Sequence, residues 1–449
     1  MKKLLFLSLI LIFVLVGGGA VLVGVTPTFI IYGPGAAAGI GSKLLCSSEY
    51  VSGFSREQAF SDLVQYSSFL SALSVTYNEE QRSVSASLLG LGDQTATYIP
   101  GLGCAERYPG YTGRQAIEVQ AVPSSTAAWP AGDTVATIEP GIQEVVEELV
   151  AQDNEEGLNT RALLVVHDGA IVAETYAQEA TADTPMLGWS MAKSLIAVML
   201  GNLEMRGMLD LNAPPGFPEW SDDERARIRT SHLLHMTGGL AYAERYRPGG
   251  DATVMLFTSP SMSDYAVSRE YRYEPGTRFN YSSATANLLG RLHQNVLGGP
   301  QQAYDDFMEN IYGPMGFQGT VFEMDASGTF ASSSYVYSTA RDWARMGQLM
   351  LNDGELNGNR LVTRDWVRRA TTPNNSANRK RYGFQWWLNY GDETLRFTQL
   401  PADMYYASGN RRQYVMVVPS ANAVFVRLGW TAGLYPTDDR FSRLLDVLD

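Results

Sequence analysis

The chain has 449 residues, of which 45% are apolar and 18% are charged, and its formal net charge is −13. This composition indicates a folded globular protein with about two or three domain-sized units and excludes a largely disordered chain. Basic residues supply most of the affinity for phosphate backbones and are outnumbered here, so we expect no nucleic-acid partner.

The N-terminus has the pattern of a targeting segment. Lys2 and Lys3 precede an uncharged run of 22 residues from Leu4 to Val25. A cleaved signal has an apolar region of about 7–15 residues, whereas a spanning helix needs about 20. We therefore predict a transmembrane anchor over residues 1–25, with the following residues exported. The predicted location is the bacterial cell envelope, anchored in the inner membrane and facing the periplasm or the outside. Secretion after cleavage, for which residues 36–38 offer a site, is the alternative.

Residues 26–135 are predicted to form a tether and a small extension. Residues 26–45 are rich in Gly, Ala and Pro, which favours a tether. Ser55–Leu73 has helical apolar spacing, and Ser83–Ile99 suggests a short hairpin. Residues 105–135 are rich in Pro, Gly, Ser and Thr and are predicted as a linker or a wrapped arm.

The two cysteines, Cys46 and Cys104, both lie in this extension. Outside the cytosol they are candidates for a structural disulfide, and two unrelated buried thiols are the alternative. No histidine lies near either in sequence, so neither is expected to be catalytic.

Residues 136–449 are predicted to form one α+β domain. Asp168-Gly169 is a strong signal for a two-residue hairpin turn. Strands at both ends of the segment, with a mostly helical stretch between them, indicate one unit with an inserted helical half. The predicted elements are a helix over Ile142–Val150, strands over Leu163–Val166 and Ala170–Tyr176, a helical region over Trp189–Met205, strands over Gln413–Val418 and Ala423–Leu428, and a last helix over Asp438–Leu448.

Ser190 and Lys193 are the candidate nucleophile and base. They lie three residues apart in a segment that is apolar nearly all round and is therefore predicted to be a buried helix, so both point to one face. A serine at a helix N-terminus meets the positive end of the macrodipole, which favours developing negative charge. A lysine in apolar surroundings loses hydration, so its pKa falls and its neutral amine can activate the serine hydroxyl.

The chain contains only five lysines, and Lys193 alone lies inside a long apolar segment. Ser-x-x-Lys by itself is a weak signal. A helix-capping serine followed by a lysine whose amine reaches solvent is the alternative interpretation.

With this motif the chain resembles the serine β-lactamase and penicillin-binding protein superfamily, of which Ser-x-x-Lys is the signature. It looks most like the branch of class C β-lactamases, D-aminopeptidases, esterases and 6-aminohexanoate-dimer hydrolases, over roughly residues 140–449. The resemblance implies a β-lactamase-like fold, in which helices flank an antiparallel sheet beside a mostly helical subdomain. Two further stretches, Ser231–Leu240 and Tyr382–Trp387, are similar to segments of that family.

Glu274–Ser283 resembles the second motif of the family. Its Pro-Gly turn delivers Tyr281 just before a predicted helix. The resemblance implies that Tyr281 works with Lys193 to move the proton to the leaving group. An ordinary buried tyrosine is the alternative.

The third motif departs from the family. Related β-lactamases have Lys-Thr-Gly on the edge strand, where this chain has Ala407-Ser408-Gly409-Asn410. Ser283 stands where class C enzymes have asparagine, and the amide hydrolase and esterase branches tolerate both changes. The resemblance implies that the backbone N–H groups of Ser190 and Asn410 form an oxyanion hole, because backbone donors do not depend on side chains. Arg411 and Arg412 are candidates to replace the missing cation.

Four further residues are predicted to line the substrate pocket: Tyr246, Ser283, Ser408 and Gly409. Tyr246 is included because related oligoamide hydrolases place a tyrosine in this region. A plain packing role is its alternative.

Two other constellations are disfavoured. Gly188–Ala192 nearly matches a Gly-x-Ser-x-Gly elbow, but Thr181–Leu187 is not strand-like and the last histidine, His293, lies far from the C-terminus. His232 and His235 have neither a cysteine nor a paired acidic cluster beside them, so we predict that they cap or pack a helix. We therefore predict no metal and no organic cofactor.

The predicted function is a serine hydrolase that cleaves a small ester or amide through an acyl-enzyme on Ser190, with Lys193 and Tyr281 as acid and base. The expected partners are a small-molecule substrate and, through the N-terminal helix, the membrane. Two alternatives stay open: a membrane-tethered acyl-binding sensor that does not turn over, and a true β-lactamase or D,D-peptidase.

Overall fold

The computed structural model describes residues 27–111, 116–122 and 125–448. The extension contains α1 (Pro27–Ser47), α2 (Arg56–Val64), β1 (Leu73–Asn78), β2 (Ser83–Leu88), β3 (Leu91–Ile99) and β4 (Gly103–Arg107). The following elements are α3 (Pro140–Glu155), β5 (Thr160–His167), β6 (Ala170–Tyr176), β7 (Met186–Leu187), α4 (Ala192–Met205), α5 (Thr230–Leu234), α6 (Asp251–Phe257), α7 (Met262–Val267), α8 (Ser283–Leu297), α9 (Pro300–Phe307) and α10 (Gly313–Met315). The last are β8 (Val321–Phe322), β9 (Val336–Ser338), α11 (Ala340–Leu351), β10 (Glu355–Leu356), β11 (Asn359–Arg360), α12 (Arg364–Ala370), β12 (Trp387–Leu388), β13 (Tyr405–Gly409), β14 (Gln413–Val418), β15 (Ala423–Gly429) and α13 (Thr437–Asp446).

A six-stranded antiparallel sheet forms the centre of the larger unit, with strand order β12-β13-β14-β15-β5-β6. Strands from both ends of the segment pair directly, since β15 lies beside β5. The β5–β6 hairpin turns at Asp168 and Gly169, whose φ angles of 50° and 78° suit a tight turn. Helices α3 and α13 cover one face of the sheet and α11 the other. The predicted α+β class is therefore confirmed.

The helical half lies between β6 and β12 and includes α4, which follows the candidate nucleophile. Twelve consecutive residues of α4, Ala192–Leu203, are buried. A helix buried on every side needs apolar residues at nearly every position, as its sequence has. This fixes the first turn of α4 firmly within the protein core.

Residues 27–47 are a helix, so the expectation of a tether over residues 26–45 is wrong. Helix α1 packs on the four-stranded antiparallel sheet β1-β2-β3-β4 and on α6. A Cβ atom at Gly39 would lie 2.0 Å from the carbonyl oxygen of Phe257, and one at Gly41 would lie 2.8 Å from Leu73. The small residues therefore serve close packing of the helix rather than chain flexibility.

A disulfide links two elements of the extension, and a buried ion pair links the extension to the larger unit. Cys46 of α1 and Cys104 of β4 form a disulfide. Lys43 of α1 is buried and forms an ion pair with the buried Glu323, which also accepts hydrogen bonds from Ser47 Oγ (2.8 Å) and the Cys104 backbone N–H (2.7 Å). Lys193 is therefore not the only buried lysine in the described part of the chain. The burial of Lys43 could not be predicted from the sequence, because its carboxylate partner lies 280 residues away.

The described part of residues 105–135 lies along the helical half. The backbone N–H of Glu118 donates to Gln301 Oε1 (2.7 Å) on α9, and Arg345 Nε on α11 donates to the carbonyl of Pro130 (2.8 Å). This segment therefore has the form of a wrapped arm, one of its two predicted forms.

Of the residues that the structure describes, one helical stretch, Pro27–Ser52, is long and apolar enough to cross a membrane. Some 61% of its most apolar window is buried inside the protein, as in the core helix of a soluble domain. It is therefore weak support for a membrane span. The anchor predicted over residues 1–25 lies outside the described residues.

Candidate active site

Ser190 lies in a single 3-10 turn, Trp189–Met191, between β7 and α4. Trp189 adopts a left-handed φ of 48°, an uncommon conformation for a bulky residue that is often found at functional sites. The turn is held tightly from both sides. A Cβ atom at Gly188 would lie 2.3 Å from the ring of Trp343, and one at Gly409 would lie 2.1 Å from the carbonyl oxygen of Gly188. The end of β13 therefore packs directly against the turn that carries Ser190.

Lys193 is buried at the start of α4, and its amine faces Ser190. Its Nζ lies 3.0 Å from Ser190 Oγ, 3.2 Å from Ser283 Oγ and 2.8 Å from the carbonyl oxygen of Ser333. Burial lowers the pKa of Lys193 to about 8, while the charge of Glu244 opposes this shift. Neutral amine is therefore present in a useful fraction near neutral pH.

The hydrogen-bond partners of Lys193 define where its lone pair points. The carbonyl of Ser333 can only accept, and Ser283 Oγ donates its own proton to Glu244 (2.6 Å) and therefore accepts from the amine. A neutral amine has two N–H donors and one lone pair. With both donors used in this way, the lone pair faces the hydroxyl of Ser190.

Tyr281 lies close to both Lys193 and Ser190. The amine of Lys193 lies 5.0 Å from the centroid of the Tyr281 ring, which stacks on Trp387. Burial raises the pKa of Tyr281, the charge of Glu244 raises it further, and a hydrogen bond with Ser190 lowers it. Tyr281 is therefore a neutral phenol at physiological pH, which can pass a proton but is a poor resident base.

Glu244 is a site residue that the sequence did not reveal. Its carboxylate accepts from the backbone N–H and the hydroxyl of Ser283, at 2.7 Å and 2.6 Å, and from the hydroxyl of Tyr246, at 2.7 Å. It thus fixes Ser283, which in turn holds the amine of Lys193. Glu244 belongs to an irregular loop between α5 and α6, and no motif marks it.

A cavity of about 470 Å³, which we call the catalytic cavity, opens over Ser190. This volume lies within the usual range of about 300–1,000 Å³ for ligand sites. The predicted site residues that line it are Ser190, Tyr246, Tyr281, Ser408, Gly409 and Asn410. Ser283 is instead fully buried beneath it, between Lys193 and Glu244. Tyr246 is about half exposed, and its hydroxyl is used by Glu244.

The two arginines considered as replacements for the third-motif lysine are engaged elsewhere. Arg411 is buried, and its guanidinium lies over the Tyr66 ring, 4.0 Å from the centroid. Arg412 lines the catalytic cavity, but its Nε donates to the carbonyl of Gly433 at 2.7 Å. Other guanidinium groups that line the cavity belong to Arg379, Arg381 and Arg396.

The residues of the two disfavoured candidate sites, the histidine pair and the Gly-x-Ser-x-Gly-like segment, make ordinary structural contacts. His232 Nδ1 accepts from the backbone N–H of Arg229, and the His235 ring packs edge-on against Phe384. Burial lowers the pKa of His235 to about 4. A short strand, β7, does precede Ser190, but it belongs to a small three-stranded antiparallel sheet. In the described part of the chain, no histidine lines the catalytic cavity.

The arrangement of the helices and the antiparallel sheet is that of the β-lactamase-like fold. The family model described as Beta-lactamase matches residues 142–446. The chain therefore belongs to the β-lactamase family.

Relatives of this chain have hydrolytic functions. The 6-aminohexanoate-dimer hydrolase of Paenarthrobacter ureafaciens is 25% identical over 251 residues, which cover 52% of this chain and 60% of that protein. Among solved structures, EstCE1, a hydrolase with promiscuous acyltransferase activity, superposes with a TM-score of 0.57 at 16% identity, over 69% of this chain and 98% of that one. A family VIII carboxylesterase superposes with a TM-score of 0.54 at 15% identity, over 70% and 99%. At these identities the structural likeness shows the fold alone.

Proposed function

We propose that the chain is a serine hydrolase that cleaves a small ester or amide through an acyl-enzyme on Ser190. The observation that supports this proposal most directly is the position of the buried amine of Lys193. It lies 3.0 Å from Ser190 Oγ, and its two other hydrogen-bond partners, Ser283 Oγ and the carbonyl oxygen of Ser333, both accept from it. Nucleophilic serine needs an adjacent base within hydrogen-bond reach, and this geometry supplies one.

In the acylation step, Ser190 Oγ attacks the substrate carbonyl carbon while its proton passes to Lys193 Nζ. The backbone N–H groups of Ser190 and Asn410 stabilise the negative oxygen of the tetrahedral intermediate. The carbon–oxygen or carbon–nitrogen bond to the leaving group then breaks. Tyr281 donates its phenolic proton to the leaving group and regains one from the Lys193 ammonium.

In the deacylation step, water attacks the acyl carbonyl carbon, and its proton passes to Lys193. The bond between the acyl carbon and Ser190 Oγ breaks, Ser190 recovers a proton, and the free acid leaves. The nucleophile, base and acid are all side chains, so these steps require no metal or organic cofactor. The ester- and amide-cleaving relatives support this substrate class.

Hydrolysis of p-nitrophenyl acetate and of a p-nitroanilide by the full-length chain tests this proposal. Turnover should be lost in Ser190→Ala and in Lys193→Met, because the nucleophile or its base is removed. Matched controls are Ser194→Ala, a buried serine whose hydroxyl instead donates to Gln385, and Lys380→Met, an exposed lysine. Both controls should keep turnover within a few-fold of wild type.

Three results would separate the alternatives. A stoichiometric release of p-nitrophenol without turnover would support the sensor and refute the hydrolase. Faster cleavage of nitrocefin than of any ester or anilide would support a true β-lactamase. A Lys193→Met rate within a few-fold of wild type would refute the base assignment.

We further propose that residues 1–25 anchor the protein in the inner membrane, that residues 26–135 form an extension, and that residues 136–449 form the hydrolase domain in the periplasm or outside. The uncharged run that follows Lys2 and Lys3 supports the anchor. Cell fractionation tests it: the chain should stay in the membrane after a high-pH carbonate wash and be released by detergent. Recovery of a shortened, soluble chain would favour secretion after cleavage instead.

A further inference from the structure

A second cavity, which we call the apolar cavity, lies between the extension and the hydrolase domain. Its volume is about 340 Å³, within the range of small-ligand sites. Most of its lining is hydrocarbon, from α1, from the segment after α2 and from α6, and includes Phe29, Ala36, Ile40, Phe69, Leu70 and Phe257. A cavity with this lining favours an apolar occupant over water.

The apolar cavity adjoins the catalytic cavity. Tyr246 and Asn410 line both of them, and Trp189, the neighbour of Ser190, lines the apolar cavity. A group that extends from a carbonyl bound at Ser190 past Asn410 therefore enters hydrocarbon surroundings.

The two sides of Ser190 differ in polarity, and this difference assigns the parts of the substrate. The leaving group must lie beside Tyr281, which supplies its proton. Tyr281 lines the catalytic cavity, together with Arg379 and Arg396, and does not line the apolar cavity. The apolar cavity is reached past Asn410, which lines both cavities and which we assign to the oxyanion hole. The acyl part of the substrate is therefore the part that faces the apolar cavity.

Exposed apolar side chains surround the same end of α1. Ile30 and Ile31 are 58% and 71% exposed, and Leu89 and Leu91 at the β2–β3 turn are 78% and 60% exposed. This turn packs on α1, since a Cβ atom at Gly92 would lie 2.5 Å from the backbone of Pro34. Clustered exposed hydrocarbon of this kind is typical of surfaces that contact lipid or other apolar partners.

We propose that the apolar cavity binds the acyl chain of the substrate, which is therefore a medium- or long-chain acyl ester or amide of the kind held in a lipid surface. This inference rests on the proposed serine hydrolase function and adds the substrate class to it. The acyl carbonyl sits at Ser190, the chain extends past Asn410 along α1, and the polar leaving group faces Tyr281.

The chain-length dependence of ester hydrolysis is the first test. With p-nitrophenol as the constant leaving group and a fixed detergent concentration, kcat/KM of the full-length chain should rise at least about tenfold from acetate to octanoate, because several methylenes become buried. A flat or falling series would overturn the inference. The hydrolase proposal would survive that result if acetate turnover still depended on Ser190.

A cavity-filling variant is the second test. Ala36→Phe places a ring inside the apolar cavity and should lower the octanoate-to-acetate ratio of kcat/KM by about tenfold, with the acetate rate kept within about twofold. Ile31→Phe places the same ring on the exposed side of the same helix and should leave the ratio unchanged. A ratio in Ala36→Phe equal to that of wild type would contradict the assignment.

Binding of decanoate gives a readout that does not need turnover or a cavity-filling variant. Decanoate should displace an environment-sensitive fluorescent fatty acid from the Ser190→Ala chain, and acetate at the same concentration should not. If no ester is hydrolysed, the proposed function fails, and decanoate binding alone decides whether the cavity takes an acyl chain. Equal displacement from the Ser190→Ala chain with and without Ile40→Ala, which removes part of the lining of the apolar cavity, would count against binding there.

Discussion

We expect the rate of the reaction to depend strongly on pH, because Lys193 must be neutral to accept a proton. Burial lowers its pKa to about 8, so the amine is mostly protonated below that pH and mostly neutral above it. Only the neutral amine can take the proton of Ser190. The rate should therefore rise with pH through this value rather than fall.

The size of the effect follows from the neutral fraction. With a pKa of about 8, about half of the free protein carries a neutral Lys193 at pH 8, about one tenth at pH 7 and about one hundredth at pH 6. We therefore expect kcat/KM to rise about tenfold for each pH unit below 7 and to level off above about 9.

The assay is the pH profile of kcat/KM for p-nitrophenyl acetate, because this quantity reports the groups of the free protein. Spontaneous ester hydrolysis is subtracted with the Ser190→Ala chain at each pH. A profile that is flat between pH 6 and 9 would refute the lysine base. A limb centred near pH 6.5 would point to a histidine instead.

Three further predictions concern groups around the site and the extension. Glu244→Gln should move the rising limb of the kcat/KM profile to lower pH, because the carboxylate of Glu244 raises the pKa of Lys193. An unchanged limb would show that the charge of Glu244 does not affect the pKa of Lys193. Tyr281→Phe should lower kcat by about 10²–10⁴-fold for amides, whose poor leaving group needs the proton, and less for p-nitrophenyl esters; equal losses would contradict the acid role. Glu323→Gln should lower the free energy of unfolding by about 3–5 kcal/mol, measured by denaturant titration, because it leaves the buried cation of Lys43 without its partner. A loss below about 1 kcal/mol would mean that the amine reaches water.

The parts of the site that the sequence could predict are those set by local geometry. Ser190 and Lys193 lie three residues apart across one turn, so their proximity follows once the segment is helical. Tyr281 follows from its motif. Glu244 could not be predicted, because its contact with Ser283 depends on the path of an irregular loop across 39 residues of sequence.

In the extension, composition alone led to the wrong prediction of a tether. Gly39 and Gly41 suit a flexible tether and a close helix contact equally well, and only the surfaces of Phe257 and Leu73 decide between the two. The β5–β6 hairpin of the central sheet was easier to predict, because the alternation of apolar and polar residues and the Asp168-Gly169 turn specify a hairpin locally. The pairing of β15 with β5, by contrast, joins residues more than 250 positions apart.

The most direct test of the account is to identify the acylated residue. The full-length chain is mixed with p-nitrophenyl octanoate, quenched in acid within the first turnovers, digested and examined by peptide mass spectrometry. The account predicts an octanoyl mass increment on Ser190 that is absent from Ser190→Ala and disappears as the ester is exhausted. Turnover with the acyl group on another residue, or with no acylated peptide at any time, would contradict it.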